Sequence, residues 1–160
     1  MLINKKILIT GIANKFSIAN GIAQSMSKNG AELAFAYQNE RLLKKIKPIA
    51  DDLGVKTLIE CDVACDKSIE KTFSQLADEW GTLDGIVHSI GFAPSDQLDG
   101  DFTEVTTREG FQIAHDISSY SFTALAKGAL PILSENAALL TLTYLGSIPV
   151  SYTHLRAHET

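Results

Sequence analysis

The segment 7–21 constrains the fold more than any other part of the chain. An apolar run that ends at Gly11 is typical of a short buried strand. Apolar residues at helical spacing follow it, namely Ile18, Ile22 and Met26. We therefore predict a strand, a tight turn and a helix with Ser17 at its N-cap. Such a helix start presents free amides and a positive dipole end, so it suits a pyrophosphate. A plain turn is the alternative, because Gly11 alone matches the dinucleotide pattern G-x-G-x-x-G.

Composition predicts one globular domain without a metal. The chain has 160 residues, 45% of them hydrophobic and 21% charged, which suffices for one core. No apolar run could span a membrane and no signal-peptide pattern begins the sequence, so we expect a cytoplasmic protein. The net charge of −5 argues against binding to nucleic acid or to anionic membranes. Cys61 and Cys65 fit neither a zinc site nor a redox pair, and we predict that they are buried small hydrophobic residues.

Strand and helix patterns alternate along the chain. The strands predicted after the first are 31–37, 56–60, 83–89 and 139–146, and the helices between the earlier ones are 40–53 and 67–80. This alternation predicts a parallel sheet with right-handed crossovers and helices on both faces. Ligands of such sheets bind outside the carboxyl ends of the strands, where the strand order reverses.

The residues at the ends of the first four strands could together bind the successive parts of a dinucleotide. We expect Gly11 and Ser17 to meet a pyrophosphate and Gln38 to face the adenosine ribose. Asp62 and Val63 would contact the adenine, with 89–91 beneath the second ribose. A turn residue that bonds its own backbone is the alternative interpretation of Asp62. Gln38 replaces the usual ribose-binding carboxylate without an adjacent cation, which favours NADH over NADPH, although the nearby Arg41 and Lys44 leave the choice open.

A long connection and a long helix follow the fourth strand. The connection 92–102 leaves the carboxyl end of that strand, and its length predicts a functional loop. The helix predicted at 107–130 is small or apolar around most of its girth, so we infer a partner subunit on its outer face. His115 lies within this helix, where a structural histidine is favoured over a catalytic one.

Seven short sequence segments together indicate a protein family more specifically than any single glycine pattern does. They are 10–15 with 17–19, 34–38, 61–63, 88–93, 107–111, 116–121 and 143–146. Together they closely resemble the enoyl-acyl carrier protein reductases, a divergent branch of the short-chain dehydrogenase/reductases. In particular, Ser89-Ile90-Gly91 stands where ordinary superfamily members have Asn-Asn-Ala-Gly, and Ser17 replaces a glycine of their Thr-Gly-x-x-x-Gly-x-Gly.

The resemblance implies an α/β fold and a reaction. The fold is a Rossmann-type doubly wound parallel sheet of seven strands in one domain. Residues 1–146 form its N-terminal portion, which has five strands in the order 3-2-1-4-5. The reaction is NADH-dependent reduction of trans-2-enoyl thioesters on acyl carrier protein in fatty-acid biosynthesis, performed by a homotetramer. Family contacts to NAD fall on Gly11, Ser17, Ile18, Gln38, Asp62, Val63 and Ile90. A substrate contact falls on Ala93 and a catalytic tyrosine on Tyr144, for which an amphipathic rim residue is the alternative.

The sequence departs from the family after Gly146. The family continues into a second active-site tyrosine and a lysine, as Tyr-x6-Lys, whereas no lysine follows Tyr152 here. In the family that lysine lowers the effective pKa of the tyrosine, which donates to the thioester oxygen. Residues 150–160 look like the translation of a transposase sequencing adapter. We therefore expect 147–160 to be a non-native tail and the chain to be a truncated, catalytically inactive fragment.

Two other functions remain open from the residues. A dinucleotide-binding module without chemistry accounts for the four strand ends, but gives no reason for the 92–102 connection or for Tyr144. A different reaction on the same scaffold, such as ketone reduction or dehydration, is also possible because a fold does not fix a function. The Ser89-Ile90-Gly91 replacement argues against the latter.

Overall fold

Five parallel strands form the centre of the molecule. The computed structural model describes residues 2–143. The strands are β1 (Lys6–Ile9), β2 (Glu32–Tyr37), β3 (Thr57–Glu60), β4 (Leu83–His88) and β5 (Leu133–Thr141). They are arranged in the order β3-β2-β1-β4-β5, and every neighbouring pair is parallel. The predicted strand order is confirmed, and it reverses between β1 and β4.

Helices connect successive strands. They are α1 (Ile18–Lys28), α2 (Glu40–Leu53), α3 (Asp66–Trp80), α4 (Phe102–Val105), α5 (Arg108–His115) and α6 (Ser121–Ala129). A π-helical turn, Asp116–Tyr120, joins α5 to α6, and short 3₁₀ turns occupy Ser95–Gln97 and Leu130–Ile132. The side chain of Asn39 accepts a bond from the Leu42 amide at the start of α2, and Gly54 ends that helix with a left-handed φ of 69°.

The sheet separates two hydrophobic cores. Because side chains alternate along a strand, Ile7 and Ile9 of β1 face one core and Leu8 faces the other. The first core is completed by α1 and α2, which contribute residues such as Ala19 and Ile46. The second is completed by α3 and α6, whose buried members are Ile69, Phe73, Leu76, Trp80, Ala124, Leu125 and Ala129. This two-layer covering explains why the strands are apolar runs rather than alternating ones.

At the amino ends of the strands, the side chain of Asp84 in β4 connects neighbouring strands by hydrogen bonds. Its carboxylate accepts from the Lys5 ammonium at 2.7 Å, from the Lys6 amide at 3.0 Å and from the Ser134 hydroxyl at 2.9 Å. The Lys5 hydrogen bond, with the other two donors, holds the pKa of Asp84 below its ordinary value. One ionised side chain therefore joins β1, β4 and β5 at the edge opposite the predicted site.

The second half of the structure differs from the prediction. β5 begins at Leu133 rather than at 139, because Leu133 pairs with Leu83 before an irregularity shifts the register to Gly85 opposite Ala138. The predicted single helix 107–130 is interrupted by its π-helical turn. His115 is exposed and stacks on Phe111 at 6.1 Å between ring centroids, and the preference for a structural over a catalytic histidine stays a prediction.

Two smaller predictions about burial are also corrected. Ile18 was expected on the buried stripe of α1, but it is 69% exposed, and Ala19 and Ala23 form the buried face instead. Cys61 is buried as expected, whereas Cys65 is exposed at the N-cap of α3. Both differences arise at helix starts, since Ile18 is the first residue of α1 and Cys65 is the N-cap of α3.

Candidate functional site

The turn after β1 passes very close to the end of β4. Gly11 adopts a φ of +82°, and a Cβ at this position would lie 1.9 Å from the carbonyl oxygen of Ser89. Thr10 ties the two strand ends together, since its amide donates to the Val87 carbonyl at 2.9 Å and its hydroxyl to the same oxygen at 3.1 Å. Glycine is therefore required at position 11 by both backbone conformation and space.

The loop between β1 and α1 is held by the hydroxyl of Ser17. Its Oγ accepts from the amides of Ala13 at 3.0 Å and Asn14 at 3.1 Å. Asn14 Oδ1 in turn accepts from the Phe16 amide at 2.8 Å, and Asn20 Nδ2 donates to the Lys15 carbonyl at 2.9 Å. Ser17 occupies the N-cap position as predicted, but its side chain organises the preceding loop rather than capping the helix.

The two hydrogen bonds that Ser17 Oγ accepts leave its hydroxyl proton to donate one more. A hydroxyl oxygen has two lone pairs and one proton, and the two loop amides occupy the lone pairs. The hydroxyl is consequently available as a donor at the amino end of α1, where the amides of Ile18 and Ala19 precede the first amide that bonds the Ser17 carbonyl, that of Asn20. This end of the site therefore offers donors and a positive dipole end to an anionic group.

Gln38 and Asp62 meet across the ends of β2 and β3. Gln38 Nε2 donates to Asp62 Oδ1 at 3.5 Å, the limit of a hydrogen bond. The same oxygen accepts from the Ala64 amide at 3.2 Å, while the Asp62 amide donates to the Ser68 hydroxyl at 2.9 Å. Asp62 thus bonds its own turn, as in the alternative interpretation, and also contacts Gln38.

A cavity of about 310 Å³ runs along the carboxyl edge of the sheet. Five of the predicted residues line it, namely Gly11, Gln38, Asp62, Val63 and Ile90. Ser17, Ile18 and Ala93 are outside the lining, although Ser17 bonds the amide of the lining residue Ala13 and Ala93 follows the lining residue Phe92. The lining is mainly apolar with a few polar groups, as in most sites for organic ligands.

Several lining residues were not predicted as site residues. They are Thr10, Ala13, Ala36, Tyr37, Leu42, Cys61, Phe92 and Ile117, whereas Ser89 and Gly91 belong to the predicted segment 89–91. Four of them directly adjoin predicted residues, namely Thr10, Tyr37, Cys61 and Phe92, so the strand-end rule could have included them. Ile117 is different, because its periodicity indicates only a helix core position, whereas in the structure it lies within the π-helical turn and lines the cavity.

Two titratable groups of the cavity are held in their neutral forms. Burial, together with the carboxylates of Glu60 and Glu40, raises the pKa of Tyr37 above its ordinary value of 10.0. Burial also raises the pKa of the Cys61 thiol, and a hydrogen bond with Thr72 opposes this rise. Since both shifts favour the protonated form, neither group adds a negative charge to the cavity near neutral pH.

The connection after β4 is anchored at both ends. Ser118 Oγ accepts from the Phe92 amide at 2.9 Å and donates to the Phe92 carbonyl at 3.0 Å. Further along, Gln97 Oε1 accepts from the amide of Thr107 at 2.7 Å and from its hydroxyl at 3.1 Å. The segment that carries Ala93 is therefore fastened to the helices that follow it. Tyr144, Gly146 and the predicted tail 147–160 lie outside the described residues.

Metal and membrane sites were also sought in the structure. Within residues 2–143, no three His, Cys, Asp or Glu side chains are grouped so that they could hold a metal ion. None of the helices in this range combines the length and the apolar character needed to cross a membrane.

Known proteins are similar to most of this chain. A family model described as enoyl-(acyl carrier protein) reductase matches residues 11–156. The chain is 56% identical over 146 residues to the enoyl-acyl-carrier-protein reductase (NADH) of Escherichia coli strain K12, and 52% identical over 146 residues to that of Haemophilus influenzae. Each alignment covers 91% of this chain and 56% of the relative. The chain therefore spans about half the length of the curated relatives it matches.

Solved structures show the same similarity. The enoyl-acyl-carrier-protein reductase (NADH) of Aquifex aeolicus VF5 has a TM-score of 0.87 and 45% identity, over 93% of this chain and 59% of that one. The enzyme of Anaplasma phagocytophilum, solved in complex with NAD, has a TM-score of 0.87 and 39% identity, over 93% and 57% of the two chains.

Proposed function

The chain belongs to the enoyl-(acyl carrier protein) reductase family, and we propose that it binds NADH at the carboxyl edge of its sheet. In the whole protein this site would serve the reduction of trans-2-enoyl thioesters on acyl carrier protein in fatty-acid biosynthesis. The observation that carries the proposal is the cavity at the point where the strand order reverses, lined by five residues predicted as NAD contacts.

The residues present fit a dinucleotide. Gly11 keeps the turn free of a Cβ, and Ser17 and Ile18 would direct donors to the pyrophosphate. Gln38 and Asp62 would hold the adenosine end, with Val63 against the base. Ile90 would support the other half of the cofactor. Gln38 supports NADH over NADPH, because its side chain lies beside the Asp62 carboxylate, which disfavours a 2′-phosphate.

Two residues of this chain are proposed to act on the substrate. Bound NADH supplies the hydride that adds to the β-carbon of the enoyl thioester. Tyr144 would donate a hydrogen bond toward the thioester oxygen as negative charge develops there. Ala93, next to the lining residue Phe92, would contact the substrate. Since the last lysine in the sequence is Lys127, the Tyr-x6-Lys pattern is missing, and we expect a polypeptide of these 160 residues to bind NADH without turnover.

The assembly and location are part of the same proposal. Phe111 and Tyr120 are 58% and 49% exposed on the face of α5 and the π-helical turn, which supports self-association, and we propose a homotetramer for the whole protein. We further propose a cytoplasmic protein without nucleic-acid or membrane partners, in keeping with its net charge of −5. Residues 1–146 would be the N-terminal part of one reductase domain, and 147–160 a non-native tail.

Calorimetric titration with NADH and with NADPH tests the proposal. We expect saturable binding of one NADH per chain and weaker binding of NADPH. In a parallel assay with crotonyl thioester, the 160-residue protein should not oxidise NADH, whereas a version extended by the natural Tyr-x6-Lys segment should do so. If NADH does not bind, the proposal is wrong. Binding with no turnover in the extended protein would favour the non-catalytic dinucleotide module instead.

A further inference from the structure

His88, the last residue of β4, is buried and bonded on both ring nitrogens. It is 1% exposed. Its Nε2 lies 2.7 Å from Ser121 Oγ at the start of α6, and its Nδ1 lies 3.1 Å from Thr141 Oγ1 at the end of β5. The ring also packs edge-on against Phe122, with 5.6 Å between the ring centroids. One imidazole thus joins the end of β4, the start of α6 and the end of β5.

The surrounding bonds determine where the ring proton lies. Ser121 Oγ is 2.7 Å from the Ile117 carbonyl, which can only accept, so the single Ser121 hydroxyl proton points there. His88 Nε2 must then carry a hydrogen and donate to Ser121 Oγ. Burial lowers the pKa of His88, so the ring is neutral and Nδ1 is left as an acceptor for the Thr141 hydroxyl.

The π-helical turn depends on this chain of bonds. The Ser121 amide donates to the carbonyl of Asp116, five residues earlier, rather than to that of Ile117. Ile117 therefore lacks its α-helical partner, and the Ser121 hydroxyl supplies a replacement. Because His88 donates to that hydroxyl, it fixes the hydroxyl in the orientation that satisfies Ile117.

The same turn forms one wall of the cavity. Ile117 lines the cavity, and the adjacent Ser118 bonds both backbone groups of Phe92, another lining residue. From these contacts we infer that His88 is a positioning residue, which as the neutral Nε2–H tautomer holds the Asp116–Tyr120 turn in the shape that places Ile117 and Phe92 at the cavity. The expected consequence is tighter binding at the nicotinamide end of NADH, and this consequence rests on the proposed function.

The hydrogen-bond pattern itself is tested by NMR on the protein labelled with ¹⁵N-histidine and with ¹³C-methyl isoleucine. We expect His88 to be neutral at pH 7, with a proton on Nε2 that exchanges slowly with water. Ser121→Ala should abolish this protection and shift the Ile117 methyl resonances, whereas the exposed control Ser74→Ala should change neither. A proton on Nδ1, a charged ring, or an Ile117 signal that is unaffected by Ser121→Ala would overturn the inference.

A matched pair of substitutions tests the consequence for binding. The side-chain amide of glutamine reaches the position of the histidine Nε2, and that of asparagine the position of Nδ1. We expect His88→Gln to bind NADH nearly as the wild type does. His88→Asn and Ser121→Ala should raise the Kd for NADH about tenfold, since a buried group loses its partner. AMP should bind all variants equally, because Gln38 and Asp62 at the adenosine end do not contact this chain of bonds.

The outcomes of this comparison are distinct. The positioning role is refuted if His88→Gln and His88→Asn weaken NADH binding equally. It is also refuted if AMP binding is lost in parallel with NADH binding, or if His88→Asn and Ser121→Ala leave NADH binding unchanged. If the wild type itself binds no NADH, the proposed function is wrong, and the protected ring proton and the Ile117 resonances still decide whether His88 holds the turn.

Discussion

Substitution of Gly11 by alanine should destabilise the fold even without a ligand. The new Cβ would lie 1.9 Å from the Ser89 carbonyl oxygen, about 1.5 Å short of the 3.4 Å at which ordinary contact begins. The obstructing atom is backbone, and Thr10 fastens both strand ends, so neither can give way cheaply. Alanine at a left-handed φ costs about 1–2 kcal/mol. With about 1–3 kcal/mol for overpacking, we expect a loss of about 2–5 kcal/mol.

The matched control is Gly54→Ala at the end of α2. Gly54 has a left-handed backbone with a φ of +69°, but a Cβ there would meet nothing within 4 Å. This variant should lose only the backbone contribution of about 1–2 kcal/mol. Urea denaturation followed by far-ultraviolet circular dichroism gives the free energy of unfolding of each variant. If Gly11→Ala is at least as stable as Gly54→Ala, the claim that the ends of β1 and β4 are in rigid contact is refuted.

Three further predictions concern charged and titrating groups. Asp62→Ala should weaken binding of both NADH and AMP in calorimetry, about tenfold if a charge-assisted contact is lost, and unchanged AMP binding would argue against an adenosine end at Asp62. Asp84→Asn should lower the free energy of unfolding at pH 7 by about 1 kcal/mol. Because the folded pKa of Asp84 lies below 3.8, this difference should vanish as the pH falls through the folded pKa, and a difference independent of pH in urea denaturation would contradict it. Burial holds the pKa of His88 in the folded protein below 6.5, so the stability that the neutral ring contributes is full above about pH 6.5 and is lost as the pH falls toward the folded pKa. His88→Gln should therefore make the free energy of unfolding less dependent on pH in this range. An unchanged pH dependence would show that His88 is not its source.

The sheet could be predicted because its signals are local. Each of the first four strands is a short apolar run bounded by turn residues, and an amphipathic helix follows each of the first three. Once the elements alternate, connection rules leave few topologies, and the site follows from where the strands end. This explains why the sequence predicts Gly11, Gln38 and Asp62 as site residues, and why five predicted residues line one cavity.

The parts that were not predicted depend on tertiary contacts. The start of β5 at Leu133 is hidden by polar residues such as Glu135 and Asn136, and only pairing with Leu83 reveals it. The π-helical turn has no periodic signal, since it is stabilised by Ser121 and by His88, which lies 33 residues away in sequence. Propensity and hydrophobic spacing carry no information about such distant bonds.

Chemical-shift mapping of the ¹⁵N-labelled protein during titration with NADH tests the central claim most directly. The account predicts saturable shifts at the amides of Gly11, Ser17, Asp62, Val63 and Ile90, all at the carboxyl edge of the sheet. The amides around Asp84, at the opposite edge, should remain unchanged. Shifts centred on that amino edge, or no saturable shifts at all, would contradict the assignment of the cavity as the NADH site.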